Sequence, residues 1–503
     1  MKSDSSSIIK NIIWALIALG INYLIGFLIT PYVTNNIGIE AYGFVGLANT
    51  FTTYVDILSV GLNSFAGRFI SVAYFRKDYE TARKYYTATV VGNLLLSALV
   101  CIPSVAGIVF LEKFIKIPDG LVFDVKLLFF FIMLNYFLTT IRTADNTATF
   151  ISNRLDISEQ KQGIAYLIKS AFLLIPCMLL TPHVWYVGFA SAVASFYFLV
   201  AAMRLRKKYV PQLYVKRKYW DPNAIFELTK NGVWNSVNEF GNALNTGLDL
   251  LITELMINPT VLGQISVAKS LSVPGYAIVK KIGASYQPKQ LQYYAQHRNE
   301  EQIRLFKRAM ILTGSFFIIL TSTFYACGTE FLSLWIPNQN IPYIFSLVMI
   351  VLIGEIVPSI VSPLFYIFTM TKKIKVPCII TLGMGAANVV SMYFLVKYTS
   401  LGGYAVVLTT AVISAIHLFD TPIYSAHCLK VNYLTFYPEI IRCVASFAVA
   451  MGVAFFIKTF VPPAHSWSEL AVKVGITGAV LLLLVSVIAG SFNIIKEVAG
   501  DKF

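Results

Sequence analysis

Long apolar runs recur along the chain and constrain its fold more than any other sequence feature. Fourteen such runs have approximate cores at residues 9–32, 41–67, 86–110, 125–148, 164–181, 185–203, 231–256, 261–286, 309–334, 342–371, 376–396, 403–425, 440–460 and 470–490. A hydrocarbon layer of about 30 Å needs about 20 apolar residues per helix, and backbone groups inside it must pair within the segment. The 503 residues are 57% hydrophobic and only 13% charged, which excludes an ordinary soluble domain. We therefore predict an all-α polytopic membrane protein with about 14 transmembrane helices.

The distribution of basic residues predicts the orientation of these helices. If the amino terminus is cytoplasmic, the inside segments carry 27 Lys and Arg residues and the outside segments carry 4, with Lys10 and Lys458 at the ends of their spans counted in the adjacent segments. Cytoplasmic loops of membrane proteins collect such residues. We therefore predict that both termini are cytoplasmic. The same rule accounts for the formal net charge of +15, so no nucleic-acid partner is expected.

The chain contains an internal repeat. "NNIGIEAYGFVGLANT" follows the first apolar run and "MINPTVLGQISVAKSL" follows the seventh, which makes Gly43 and Gly263 equivalent. We predict two six-helix lobes at residues 1–210 and 231–430, joined by a cytoplasmic linker at 211–230, with helices 13 and 14 and the tail in 431–503. Each lobe has an even number of helices, so the copies form a parallel pseudo-twofold repeat about an axis along the membrane normal.

Helix 7 carries a stripe of polar residues inside an apolar run. Their spacings of three and four residues place these side chains on one side of the helix. They are Asn231, Asn235, Asn238, Asn242, Asn245 and Asp249. An amide facing acyl chains without a partner costs several kcal/mol, so we predict that the stripe lines a cavity. Hydrogen bonding between helices is the alternative. Helix 2 has a weaker stripe that includes Asn49, Asp56 and Asn63, and amides suit sugar hydroxyls because they both donate and accept hydrogen bonds.

Among the cations within the predicted spans, four stand out as candidates for a functional role: Arg142, Lys169, Lys269 and Lys280. Ionisable residues inside a membrane are costly and usually functional. Cations in a partly wet cleft attract phosphate, so we interpret these four as the phosphate-binding residues of a transported molecule. For Lys280, extension of the side chain to the inner interface is the alternative.

Acidic residues within or beside the spans are candidates for binding a coupling ion. They include Asp56, Glu239, Asp249 and Glu355, and each either binds a proton or sodium or neutralises a nearby cation. The chain has no GxxxxGK[ST] motif, which excludes a P-loop ATPase. Its loops are too short for a soluble catalytic domain. We therefore expect a secondary transporter and not an enzyme, with no cofactor or metal apart from Na+ or H+ as the coupling ion.

Several segments resemble a known transporter family. "NNIGIEAYGFVGLANTFTTYVDILSVGLNSFAGRFIS", "NALNTGLDLLITELMINPTVLGQISVAKSL" and "NVVSMYFLVKYTSLGGYAVVLTTAVIS" are similar to the polysaccharide transporter family, the Wzx-type flippases of the multidrug/oligosaccharidyl-lipid/polysaccharide (MOP) exporter superfamily. The resemblance implies two MATE-like lobes around a cationic central cavity. It implies movement of undecaprenyl-pyrophosphate-linked oligosaccharide units, as in O-antigen or capsule synthesis, across the bacterial plasma membrane by alternating access.

The resemblance also assigns individual positions and partners. Asp249 matches an acidic position late in helix 7, and Asn388 and Thr409 match polar positions that hold a cation in related lipid flippases. The implied partners are the lipid-linked oligosaccharide, membrane lipid and other polysaccharide assembly proteins. Two alternatives stay open: a MATE-like multidrug exporter, which needs an acidic and aromatic cavity, and a membrane-embedded polysaccharide polymerase or ligase, which needs a large external loop.

Overall fold

The computed structural model describes residues 2–152, 154–371 and 373–490, with the backbone alone at residues 2–13, 15, 16, 18, 19, 246, 288, 292 and 295. The chain divides into two compact units, Met1–Gly263 and Gln264–Phe503. In the described residues every regular element is helical, which confirms the all-α prediction. The predicted cytoplasmic tail, residues 491–503, lies outside the described residues.

The first unit consists of long helices that run back and forth. They are α1 (Lys2–Asn36), α2 (Ile39–Phe75), α3 (Tyr79–Val109), the short α4 (Leu111–Phe114), α5 (Val122–Ile151), α6 (Leu155–Leu179), α7 (Trp185–Tyr209), α8 (Pro222–Asn242), α9 (Leu248–Met256) and the first turn of α10 (Pro259–Ala295). A π-helical segment, Ala243–Gly247, joins α8 to α9. We call the end of this unit that carries residues 76–78 and 210–221 the basic end.

The second unit contains the rest of α10 and eight further helices of the described chain. These are α11 (Asn299–Trp335), α12 (Ile341–Val361), α13 (Phe365–Met370), α14 (Lys375–Tyr398), α15 (Gly403–Ala415), α16 (Asp420–Leu429), α17 (Tyr437–Phe460) and α18 (Trp467–Ala489). Two predicted spans are interrupted by 3-10 turns, Ser362–Leu364 between α12 and α13 and Ile416–Leu418 between α15 and α16.

A helix, or two helices in series, covers each of the fourteen predicted spans. Within the described residues, eleven helical segments are long and apolar enough to cross a membrane, which makes this a multi-pass membrane protein. The segments that fall short include the seventh and eighth spans, α8–α9 and α10. Their polar residues lower the hydropathy, so the feature that suggests function also weakens the membrane signal.

The predicted repeat brings equivalent positions into contact. A Cβ atom on Gly43 would lie 2.8 Å from the backbone nitrogen of Gly263. The Thr260 hydroxyl donates a hydrogen bond of 2.8 Å to Glu40. In both pairs the second residue follows the first by 220 positions. Equivalent positions meet each other at a twofold axis, so these contacts support the parallel pseudo-twofold repeat.

The compact units divide within α10, after Gly263, whereas the repeat places the boundary at residues 211–230. The reason is that α8 packs along α2 of the first unit. The assignment of the two six-helix lobes to residues 1–210 and 231–430 stays a prediction.

Small residues allow α2 and α8 to cross with their backbones in contact. A Cβ atom on Gly232 would lie 2.0 Å from the carbonyl oxygen of Gly61. The Ser236 hydroxyl donates a 2.8 Å hydrogen bond to the carbonyl of Ile57 at the same crossing. Small residues and polar contacts of this kind hold helices together in lipid, where apolar association has little driving force.

We expect Gly232→Ala to destabilise the protein, because the added methyl group overlaps backbone that has no room to move. Overpacking of this kind costs about 1–3 kcal/mol, which outweighs the gain of about 1 kcal/mol in helix propensity. Gly107→Ala in α3 is the matched control, since nothing lies within 4 Å of a Cβ atom there. Thermal unfolding of the detergent-purified protein should show a lower melting temperature for the first variant only. Equal melting temperatures would contradict the crossing.

Candidate functional site

The predicted polar stripe of α2 is exposed along part of its length. Asn49, Thr53 and Asp56 are exposed although they lie in a membrane-length helix. Asn49 donates a 2.8 Å hydrogen bond to the carbonyl of Val45, and Asp56 accepts one from Ser59. Polar side chains at this depth must meet water, protein or ligand instead of acyl chains. This face is therefore available to a polar ligand.

Asn63, at the other end of the stripe, has a structural role. It forms a reciprocal pair of 3.0 Å amide hydrogen bonds with Asn93 of α3. Asn93 is fully buried and also donates to the carbonyl of Thr140 in α5 at 3.0 Å. The pair joins three helices. The sequence analysis did not single out Asn93, whose only signal is a lone amide within an apolar run.

The helix 7 stripe does not follow one uninterrupted α-helix. Before the π-helical segment Asn231 and Asn242 are exposed, and Asn235 and Asn238 are half-buried. Asn245, within the segment, and Asp249, after it, are buried. A π-helical turn holds more residues than an α-helical turn, so it rotates the residues that follow it. The prediction of a single face assumed uniform α-helical spacing.

A tyrosine of α2 supports the π-helical segment. The Tyr54 hydroxyl donates a 2.6 Å hydrogen bond to the carbonyl of Gly247. Thr253 donates to the carbonyl of Asp249 at 2.7 Å one turn later. The exposed Glu239 lies on α8 beside the asparagines. π-Helical segments are frequent at functional sites, and this one lies in the middle of the candidate polar face.

Arg142 and Lys169 lie within membrane-length helices of the first unit, on α5 and α6. The Arg142 guanidinium lies 3.9 Å from the centroid of the Phe198 ring of α7, and its buried Nε has no acceptor among the described residues. Lys169 is half-buried. Neither forms an ion pair with a carboxylate in the described parts of the chain. A cation inside a membrane-length helix without a carboxylate partner is costly and usually functional, so these two residues are candidates to bind an anion.

Polar side chains of α5 also contribute to helix packing. Ser195 of α7 donates to the Asn135 amide oxygen and lies 3.5 Å from the Thr139 hydroxyl. The sequence analysis missed Ser195 and Phe198, because both lie in an apolar run that has no regularly spaced polar residues. Together they position the part of α5 that carries Arg142.

The predicted residues of the second unit occupy separate helices. On α10, Lys269 is half-buried and has an interaction partner, whereas Lys280 is exposed with its Nζ 5.1 Å from the centroid of the Tyr276 ring. Glu355 of α12 is half-buried. The structure thus places both lysines on one helix, as predicted, in different environments.

The predicted cation-binding positions of the second unit lie on α14 and α15. Asn388 is fully buried and donates to the hydroxyl of Thr410 at 3.2 Å. Thr409 is buried and donates to the carbonyl of Ala405 at 2.6 Å. No group of three or more His, Cys, Asp or Glu side chains is close enough to hold a metal ion in the described residues. A role for Asn388 and Thr409 in ion binding stays a prediction.

Several known proteins are similar to this chain. It is 27% identical over 455 residues to the uncharacterized membrane protein EpsK of Bacillus subtilis (strain 168), covering 89% of this chain and 88% of that protein. The lipid II flippase MurJ in an inward closed conformation has a TM-score of 0.69 at 14% identity, over 95% of this chain and 98% of that one. An inward-facing MATE family multidrug resistance transporter of the MOP superfamily has a TM-score of 0.61 at 14% identity, over 89% and 100%.

These similarities confirm the fold and the family that the sequence suggested. At 14% identity the two solved structures show a shared fold alone. The family of polysaccharide biosynthesis proteins matches residues 8–285, which is more than half of the chain. The protein therefore belongs to the polysaccharide biosynthesis protein family, with the all-helical membrane fold of the MOP superfamily.

Proposed function

We propose that this protein is a flippase that moves lipid-linked oligosaccharide units across a bacterial plasma membrane, from the cytoplasmic to the outer leaflet. The observation that carries the proposal is the pair of cations, Arg142 and Lys169, inside the first unit without a carboxylate partner among the described residues. The family and the fold of membrane transporters support the same reading.

The proposed roles follow from the chemistry of the headgroup. A pyrophosphate needs cationic donors, and a guanidinium supplies paired hydrogen bonds in a fixed geometry. The sugars need groups that donate and accept, which the exposed amides of Asn49 and Asn242 provide. The lipid tail stays in the bilayer. Under this proposal the protein catalyses no covalent step, and its substrate partners are the lipid-linked oligosaccharide and the surrounding lipid.

We expect Arg142→Ala and Lys169→Ala to lose surface polysaccharide in a complemented deletion strain. Each loses a charge-assisted contact of about 1.5–3 kcal/mol, which corresponds to a roughly 10- to 160-fold weaker interaction with the headgroup. Lys169→Arg should retain most of the activity because it keeps the charge. Polysaccharide measured on the cell surface, with protein level measured by immunoblot, tests this expectation.

Arg68→Ala is the matched control, since Arg68 is an exposed arginine of the same unit that lies off the polar stripe of α2. It should leave the polysaccharide unchanged. Normal polysaccharide in both Arg142→Ala and Lys169→Ala would refute the assigned role. A deletion strain with normal polysaccharide but increased susceptibility to cationic drugs would favour the multidrug exporter instead.

We further propose that an ion gradient drives transport, with Asp249 as the first candidate for the ion-binding group. Asp249 is a buried carboxyl in the first turn of α9, two residues after the π-helical segment ends. In proteoliposomes, we expect flipping of a fluorescent lipid-linked sugar to respond to an imposed Na+ or H+ gradient in the wild type and not in Asp249→Asn. Asp56→Asn removes the exposed carboxyl of α2 and is the comparison variant. It should keep the response to the gradient if Asp249 of α9 is the ion-binding group. A wild-type rate that is independent of both gradients would eliminate ion coupling.

A further inference from the structure

The segment that follows α7 carries a dense cluster of cations. Residues 203–220 contain no acidic residue. Six of their cations are exposed, namely Arg204, Lys207, Lys208, Lys216, Arg217 and Lys218. We call residues 204–220 the basic shelf. Charge runs of this kind usually belong to mobile solvated loops, so the question is whether this one is held in place.

Two apolar side chains anchor the basic shelf in the first unit. Val210 and Leu213 are completely buried. They lie in one hydrophobic cluster with residues from α2, α3 and α5, including Ile70, Tyr86 and Ala148. Burial of these apolar side chains stabilises the attachment of the shelf to the unit. The shelf is therefore part of the folded unit and does not behave as a free tether.

Hydrogen bonds and an ion pair fix the backbone of the shelf as well. Arg83 of α3 donates from Nε to the carbonyl of Gln212 at 2.7 Å, and its guanidinium lies 4.5 Å from the centroid of the Tyr214 ring. Arg206 bonds the carbonyl of Leu213 and pairs with Asp145 of α5 at 2.8 Å. The charge of Arg206 is therefore compensated inside the protein. The six exposed cations keep theirs facing outward from a fixed backbone.

The carboxyl end of the shelf is held by a further ion pair. Asp221 accepts a 2.6 Å contact from Lys84 and caps α8 through the backbone N–H of Asn223 at 2.9 Å. The hydrogen bond from Lys84 lowers the pKa of Asp221 below its usual value. This carboxylate is therefore ionised. It is engaged by Lys84 of α3 and by the first turn of α8 instead of by the exposed cations of the shelf.

Exposed apolar side chains flank the cations. Val215 is 46% exposed, Trp220 38% and Phe226 69%. The α7 span ends at Tyr209, so the shelf begins where a membrane span meets the headgroup layer. Tryptophan is enriched at that boundary, since its ring is amphipathic. Cations beside apolar anchors at this depth match a lipid surface better than they match a soluble acidic partner.

We propose that the basic shelf binds the anionic headgroups of phospholipids in the leaflet at the basic end. The ammonium groups of the lysines and the guanidinium groups of the arginines contact the lipid phosphates. Val215, Trp220 and Phe226 enter the region of the bilayer just below these phosphates. Each cation near an anionic surface strengthens binding by a factor of about five. The fixed backbone reduces the entropy lost when the lipid is bound. The residues of this site differ from the proposed substrate residues Arg142 and Lys169.

The test compares lipid binding by variants of the purified full-length protein. Native mass spectrometry in detergent measures the dissociation constants of dioleoylphosphatidylglycerol and dioleoylphosphatidylcholine. We expect the wild type to prefer phosphatidylglycerol. We expect the triple variant Lys216→Gln, Arg217→Gln, Lys218→Gln to bind it roughly 100-fold more weakly, as the loss of three such cations implies.

Two matched controls separate charge from fold and position. The charge-preserving variant Lys216→Arg, Arg217→Lys, Lys218→Arg should bind like the wild type. A triple variant elsewhere on the surface, Lys281→Gln, Lys289→Gln, Arg304→Gln, removes the same charge and should also bind like the wild type. Equal affinity of the shelf variant and this second control would overturn the proposal.

If the shelf variant does not fold, measurements on the wild type alone test the proposal. Raising NaCl from about 0.1 to 1 M shortens the Debye length from about 10 to 3 Å, so phosphatidylglycerol binding should weaken while phosphatidylcholine binding does not. Soluble glycerol phosphate at the lipid's concentration should not compete. Salt-independent binding, or full competition by glycerol phosphate or by an acidic peptide, would contradict a lipid site. None of these outcomes depends on whether the protein flips a lipid-linked sugar.

Discussion

The need to satisfy polar groups inside the bilayer governs the rest of the structure. A buried amide without a partner costs several kcal/mol in hydrocarbon, so each one must pair or meet water. The first unit uses both solutions on the same helix. Asn63 of α2 pairs with Asn93, whereas Asn49 and Asp56, earlier on α2, are exposed. The paired amide holds helices together, and the exposed polar face is what a ligand can reach.

Close helix crossings determine where these polar faces lie. Gly61 and Gly232 bring the backbones of α2 and α8 into contact, and Gly43 and Gly263 do the same for equivalent positions of the repeat. Glycine serves here through the absence of a side chain, because the helical backbone at these positions needs no unusual dihedral angle. Any side chain at the crossing displaces α8 together with the asparagines it carries. Packing and function are therefore coupled through one contact.

The helices could be predicted from the sequence, because an apolar run of membrane length indicates a helix without any information about the helices that it packs against. The detail of the polar face could not. The spacing of Asn238, Asn242 and Asn245 indicated one continuous face, but the π-helical segment that changes it is supported by Tyr54, which is 193 residues distant from Gly247. The setting of Arg142 depends likewise on Phe198. Contacts between distant segments leave no periodic pattern, so they appear only in the folded chain.

Charge distribution within the first unit is the basis for the substrate class that we propose. The intramembrane cations lie on α5 and α6, whereas Asp56, Glu239 and Asp249 lie on α2, α8 and α9. No carboxylate of the described residues pairs with Arg142 or Lys169, and the buried carboxylate of α5, Asp145, pairs with Arg206 instead. A cationic drug needs acidic groups and is repelled by cations. The headgroup of the proposed substrate joins phosphate to sugar, so it needs cations for one part and amides for the other, and the first unit carries both kinds of group on different helices.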